Sequence, residues 1–121
     1  MRIIEQPYVY DLYVKVKPGA VAQVIQRTSA DANFCLKAIE IVKAQFPFAA
    51  RFSGPDGYLY NSFLDSSHLP LPMNPAMIVP AGGFIGVDIQ DTTNCGGDRR
   101  RRNRVTLRLW GSKQFEVEEA A

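Results

Sequence analysis

Apolar and polar side chains alternate with a period of two along much of this chain, and that pattern limits its fold more than any other feature. Between Tyr8 and Lys17, the residues Tyr8, Tyr10, Leu12, Val14 and Val16 alternate with Val9, Asp11, Tyr13, Lys15 and Lys17. Successive side chains of an extended backbone point to opposite faces, so this spacing describes a strand with one buried face. Two further segments read the same way. In Gly83 to Asp91, Ile85, Val87 and Ile89 share one face, with Gly86 and Asp88 on the other. In Arg104 to Trp110, Val105, Leu107 and Leu109 point inward and Thr106 and Arg108 outward.

The segments between these strands carry turn signals or weaker patterns. Ala20 to Arg27 is a second candidate strand, set off from the first by Pro18-Gly19. Phe34 to Ala44 fits two templates. As a strand it places Cys35, Lys37, Ile39, Ile41 and Lys43 on one face; as a helix it lines up Leu36, Ile39, Lys43 and Phe46. The Ile39-Glu40-Ile41-Val42 core favours the strand, because β-branched side chains lose rotamer freedom in a helix. Phe48 to Ser53 and Gly57 to Leu64 flank Gly54-Pro55-Asp56-Gly57 and are expected to form a hairpin. Prolines at 70, 72, 75 and 80 make Ser66 to Ala81 read as a long surface loop with a brief extended piece at Met77-Ile78-Val79. Thr92 to Asn103 reads as a polar loop, and a short strand after Gly111-Ser112 leads into an acidic tail, Glu116 to Ala121. About eight short strands in 121 residues predict one all-β domain spanning 1–121, a jelly-roll-like antiparallel β-sandwich or a barrel.

Charge and composition narrow the function. Fourteen basic against twelve acidic residues give a net charge of +2, too balanced for nucleic-acid or membrane binding by the chain as a whole. The N-terminus lacks the apolar core of a signal peptide, and no apolar run approaches the ~18 residues that would span a bilayer. A protein made and used in solution is expected, with Cys35 and Cys95 as two free thiols rather than a disulfide.

Residues that could carry chemistry are sparse. His68 is the sole histidine and sits beside Ser67, which is not how a catalytic triad is encoded. Two separated cysteines and one histidine do not make a zinc site, and Asp88, Asp91, Thr92, Thr93 and Asn94 lack the loop pattern of a calcium motif. Asp88 and Asp91 fall on opposite faces of their strand, and Asp88 reads as a surface or interface group. Gly82, Gly83 and Gly86 precede no helix and so fail as a phosphate loop. No enzyme, cofactor or metal is expected.

What remains points to surfaces. Arg99-Arg100-Arg101-Arg102 has three readings: a solvated hairpin tip, a dock for an acidic protein patch through bidentate guanidinium–carboxylate bonds, or a nucleic-acid contact without base readout. Nucleic acid is the least favoured. Of the aromatics Tyr8, Tyr10, Tyr13, Tyr58, Tyr60 and Trp110, most are expected in the core. Tyr13 and Trp110 fall on outer faces and join the arginine run as candidate partner-binding residues.

Four stretches resemble cement proteins of short-tailed bacteriophages of the Bordetella phage type. These are Tyr10-Asp11-Leu12-Tyr13-Val14-Lys15; Arg51-Phe52-Ser53; Val79-Pro80-Ala81-Gly82 running into Ile85-Gly86-Val87-Asp88-Ile89-Gln90-Asp91; and Leu109-Trp110-Gly111-Ser112-Lys113-Gln114-Phe115. The resemblance implies a jelly roll that dimerises, binds the major capsid protein on the outside of the virion, and stiffens the head without covalent links. The arginine run and Cys95 are not part of it. Other virion parts, such as a head-tail connector or tail accessory protein, and a small carbohydrate-binding jelly roll are the alternatives.

Overall fold

The computed structural model describes residues 2–58, 62–92 and 102–117. Among the described residues nine strands form two antiparallel sheets: β1 (Arg2–Val16), β2 (Val21–Arg27), β3 (Asn33–Ala44), β4 (Phe48–Gly54), β5 (Gly57–Tyr58), β6 (Leu64–Asp65), β7 (Leu71–Val79), β8 (Phe84–Asp91) and β9 (Asn103–Val117). One sheet runs β1-β9-β3-β7. The other runs β2-β8-β4, with β5 and β6 both on the far edge of β4. With β5 and β6 taken as one interrupted strand, the two orders become 1-8-3-6 and 2-7-4-5, the interleaved Greek keys of a jelly roll. No helix among the described residues is long and apolar enough to cross a membrane.

The alternating segments fold as their spacing predicts. Tyr10, Leu12, Val14 and Val16 of β1, Val105, Leu107 and Leu109 of β9, and Ile85, Val87 and Ile89 of β8 line one core with Phe34, Leu36, Ile39, Phe48 and Phe52. Burying each such large side chain contributes about 1.5–3 kcal/mol. The β4–β5 hairpin turns at Pro55-Asp56. Gly57 there has φ of 105°, a conformation that costs a side-chain-bearing residue dearly.

Three expectations need correction. Ser66 to Ala81 is not a long loop: after a short 3-10 turn at Ser66–His68, β7 is a nine-residue strand paired with β3. Pro72 is tolerated because β7 is an edge strand, with one side free of ladder bonds among the described residues, and Pro75 falls in the stretch 73–76 that a jump in register leaves unpaired with β3. The last strand does not stop at Gly111-Ser112, since β9 runs unbroken from Asn103 to Val117 against β1. Finally, Phe34–Ala44 is a strand, but its faces switch. Phe34 and Leu36 are buried, and so is Ile39, three residues on, because register shifts after Leu36 and after Ile41 each insert an extra residue.

Side chains tie the ends of the sandwich. At one end Ser29 N donates to the Tyr10 hydroxyl at 3.0 Å and Thr28 Oγ1 donates to the Pro80 carbonyl at 2.8 Å. At the other, the buried Asn103 side chain accepts from Phe46 N at 3.1 Å and donates to Phe46 O at 2.9 Å.

Candidate functional site

The register of the four-stranded sheet decides what its solvent face presents. Reading across the strands in the order β1, β9, β3, β7, one row is Pro7, Ser112, Cys35 and Ile78, and the next is Val9, Trp110, Ala38 and Pro72. Together they form a largely apolar band across the sheet, crossed on β3 by Lys37, the extra residue of the bulge, whose Nζ reaches Glu5 on β1. Ser112 and Cys35 lie buried at its floor. Val9 (37% exposed), Trp110 (42%) and Ile78 (45%) stand above it. Pro7, Val9 and Trp110 also line an open concavity on the β1–β9 side.

Charged rows border the band. On one side lie Asp11, Arg108 and Glu40, and beyond them Tyr13, Thr106 and Lys43; on the other lie Glu5, Gln114 and Asn33. Arg108 donates from Nε and Nη2 to the two oxygens of Asp11, at 2.8 and 3.1 Å, and its guanidinium lies 5.5 Å from the centre of the Trp110 ring. The hydrogen bonds and charge of Arg108 hold the Asp11 carboxyl below the usual carboxylate range, and Asp11 in turn raises Arg108. Asp11 thus orients Arg108, and Arg108 steadies the indole. A side chain held this way has little rotamer entropy left to lose on being covered.

Glu5 accepts from Gln114 at 3.0 Å and pairs with Lys37 at 3.3 Å, which together lower its pKa. Burial, followed by the Glu5 charge, pushes the Cys35 thiol up, so this free cysteine is a poor nucleophile.

A second apolar surface lies apart from the band. β1 and β9 continue past the start of β3 as a two-stranded ribbon, pairing Ile4 with Phe115, Ile3 with Glu116 and Arg2 with Val117. Ile3 is 61% exposed and Ile4 41%, and the two point to opposite faces. Two strands alone bury too little to be stable, so a ribbon with apolar side chains on both faces is poised to be covered.

The solvent face of the five-stranded sheet is built differently. Asp88 points outward from β8, yet it is buried, not the exposed group its pattern suggests. Arg51 of β4 lies over it, donating from Nε and Nη2 at 3.3 and 3.0 Å. The same guanidinium sits 4.0 Å from the Tyr58 ring centre and 4.8 Å from that of Phe63. This cluster locks β4, β5 and β8 together, and its groups satisfy one another. His68 is exposed on the 3-10 turn, with Nδ1 3.3 Å from the Asp65 carbonyl.

Of the residues singled out from sequence, Tyr13 and Trp110 lie on one face, both exposed, with the Asp11–Arg108 pair between their rows. Arg102 is partly buried just before β9. Arg99, Arg100 and Arg101 lie outside the described residues, as do Cys95, Tyr60 and the end of the acidic tail. Tyr8 and Tyr58, expected inside, are exposed; Tyr8 sits where the ribbon leaves the core, and Tyr58 covers Arg51. No protein-family model matches this sequence, and no curated protein matches it significantly. Sequence reading missed the other half of the band. Val9 shares the parity of Tyr13 and was within reach, whereas Ile78 and Pro72 were hidden by the proline-rich stretch.

Proposed function

We propose that this chain is a structural, non-catalytic protein-binding module that serves as a cement protein, holding the major capsid proteins of a phage head together from the outer surface of the virion. One observation carries the reading: two separate apolar surfaces, the band on the four-stranded sheet and the β1–β9 ribbon, on one small rigid body. A molecule that reinforces a shell has to grip more than one neighbour, and repeated modest contacts then add up through avidity rather than through a deep pocket. The jelly-roll strand order and the four sequence stretches that resemble phage cement proteins support the same reading.

The test is made on particles. Heads assembled without this chain are expected to release DNA at a lower temperature, and under milder osmotic shock, than complete heads. Equal resilience removes the stabilising role. The ratio of this chain to the shell protein, measured by mass analysis, separates cement from a head-tail or tail accessory part. Cement scales with the shell, whereas a connector is confined to one vertex.

A further inference from the structure

We propose that the end of the four-stranded sheet where β1 finishes and β9 begins is a binding site for single-stranded nucleic acid. Lys15, Lys17, Lys43 and Arg104 take the phosphates, and the Tyr13 ring takes a base. The inference goes beyond the protein-binding reading above and stands without it, since it uses neither the band nor the ribbon.

The net charge of +2 conceals an uneven distribution. Carboxylates hold Lys37, Arg51, Arg108 and Lys113 in ion pairs. Lys15, Lys17, Lys43 and Arg104 have no such partner among the described residues, and all four are exposed. The register gathers them at one end. Lys15 of β1 lies directly opposite Arg104 of β9, and Lys43 of β3 lies opposite Thr106, the next outward position along β9. Lys17 opens the Pro18-Gly19 turn that follows β1, its carbonyl accepting from the Ala20 amide at 3.0 Å. From strand spacing and rise, Lys15 stands about 5 Å from Arg104 and Lys43 about 8 Å from it. Both lie within the ~8 Å over which charges act at physiological salt, so their potentials add. Like charges set directly opposite each other across two strands destabilise a sheet, a cost that a bound anion removes.

The chemistry of the patch selects among polyanions. Three of the four cations are lysines, compact point charges on flexible stems that suit phosphates met one at a time. Bidentate capture of protein carboxylates calls for arginine, and lysine is depleted in protein–protein interfaces. Tyr13, 55% exposed, shares a row with Thr106 and Lys43 and precedes Lys15 by two residues on the same face. An exposed ring among cations suits a strand with unpaired bases, whose phosphates meet the lysines while a base stacks on the ring. A duplex keeps its bases stacked inside and offers Tyr13 no such face. The row beyond, Asp11, Arg108 and Glu40, holds two carboxylates to one guanidinium. Its excess of negative charge bounds the site on the side of the band.

Fluorescence anisotropy of the full chain with a labelled oligothymidylate at low salt tests this. The oligonucleotide is expected to bind more tightly than a duplex of the same length. Its log affinity is expected to fall against log salt with a slope of about −3, as four phosphate contacts on a single strand require. Lys15→Ala and Arg104→Ala are each expected to reduce that slope by about 0.7. Arg2→Ala and Arg27→Ala, which remove unpaired cations elsewhere, are expected to leave it unchanged. Tyr13→Ala is expected to weaken binding about tenfold with the slope intact, and Tyr13→Phe to retain it. Each variant is checked for an unchanged β-type circular-dichroism spectrum. Absence of binding at low salt overturns the proposal, as does binding that ignores Lys15, Arg104 and Tyr13, or that is lost only when Arg99, Arg100 and Arg101 are replaced. Polyglutamate that binds as tightly as the oligonucleotide also overturns it, in favour of an acidic protein partner. A chain that stiffens shells yet ignores the oligonucleotide would sink this inference alone.

Discussion

At the scale of residues, two aspartate–arginine pairs with the same chemistry sit in opposite surroundings. Asp88 is nearly inaccessible beneath Arg51, whose guanidinium is itself partly covered by Tyr58 and Phe63. Asp11 is about half exposed, and its pair with Arg108 lies in water. Removing one partner of a covered pair leaves a charge without compensation, whereas a surface pair recovers most of its energy from solvent. Asp88→Ala is therefore expected to cost about 1.5–3 kcal/mol, the range for hydrogen bonds to a charged group, and Asp11→Ala distinctly less, as read from urea unfolding; the reverse order would contradict this account. Alternation alone revealed that Asp88 points away from the core. That it is nonetheless buried depends on Arg51, 37 residues distant in sequence, and no local pattern encodes that lid.

At the scale of elements, β3 and β9 touch so closely at one point that only glycine fits. A Cβ built on Gly111 would run into the Cys35 carbonyl and the Phe34 ring, both held in the middle of the sheet. Gly111→Ala is expected to destabilise the fold by about 3 kcal/mol, measured by thermal or urea unfolding, although alanine is otherwise the mildest replacement. A stability unchanged by the substitution would mean that β3 and β9 can move apart without cost. The same strands mark where sequence reading runs out. β1 and β8 obey strict alternation and were legible at once. In β3 the insertions after Leu36 and Ile41 reset the parity, so that Ile39 joins Leu36 inside and Ala38 comes to lie beside Trp110 outside. A bulge is an extra residue counted against the partner strand, so the bulged segment's own alternation does not show where it falls. β7 was misread for a related reason: its prolines rule out a central strand, and only the sheet order reveals that it is an edge.

At the scale of the whole molecule, acid should weaken the fold through groups spread over both sheets. Glu5 is lowered by Gln114 and Lys37, Asp11 by Arg108, and Asp65 by the Ser67 amide. Each binds its proton less readily folded than unfolded, so its stabilisation is complete above the ordinary carboxylate pKa of about 4 and disappears as pH falls through the lowered folded value. Urea midpoints are expected to stay level from pH 7 to about 5 and to fall below about 4; a midpoint that rose on acidification would be inconsistent with these pairs. The sequence by itself determined that the chain is all-β, that its core is drawn from the inward parity of the first, eighth and last strands, and that Tyr13 and Trp110 face outward. Those properties follow from a two-residue period that each strand carries within itself. Only the tertiary structure decided which strands are neighbours, and so which side chains share a row. The apolar band exists because β1, β9, β3 and β7, scattered along the chain, lie side by side in one register, and no stretch of sequence contains it.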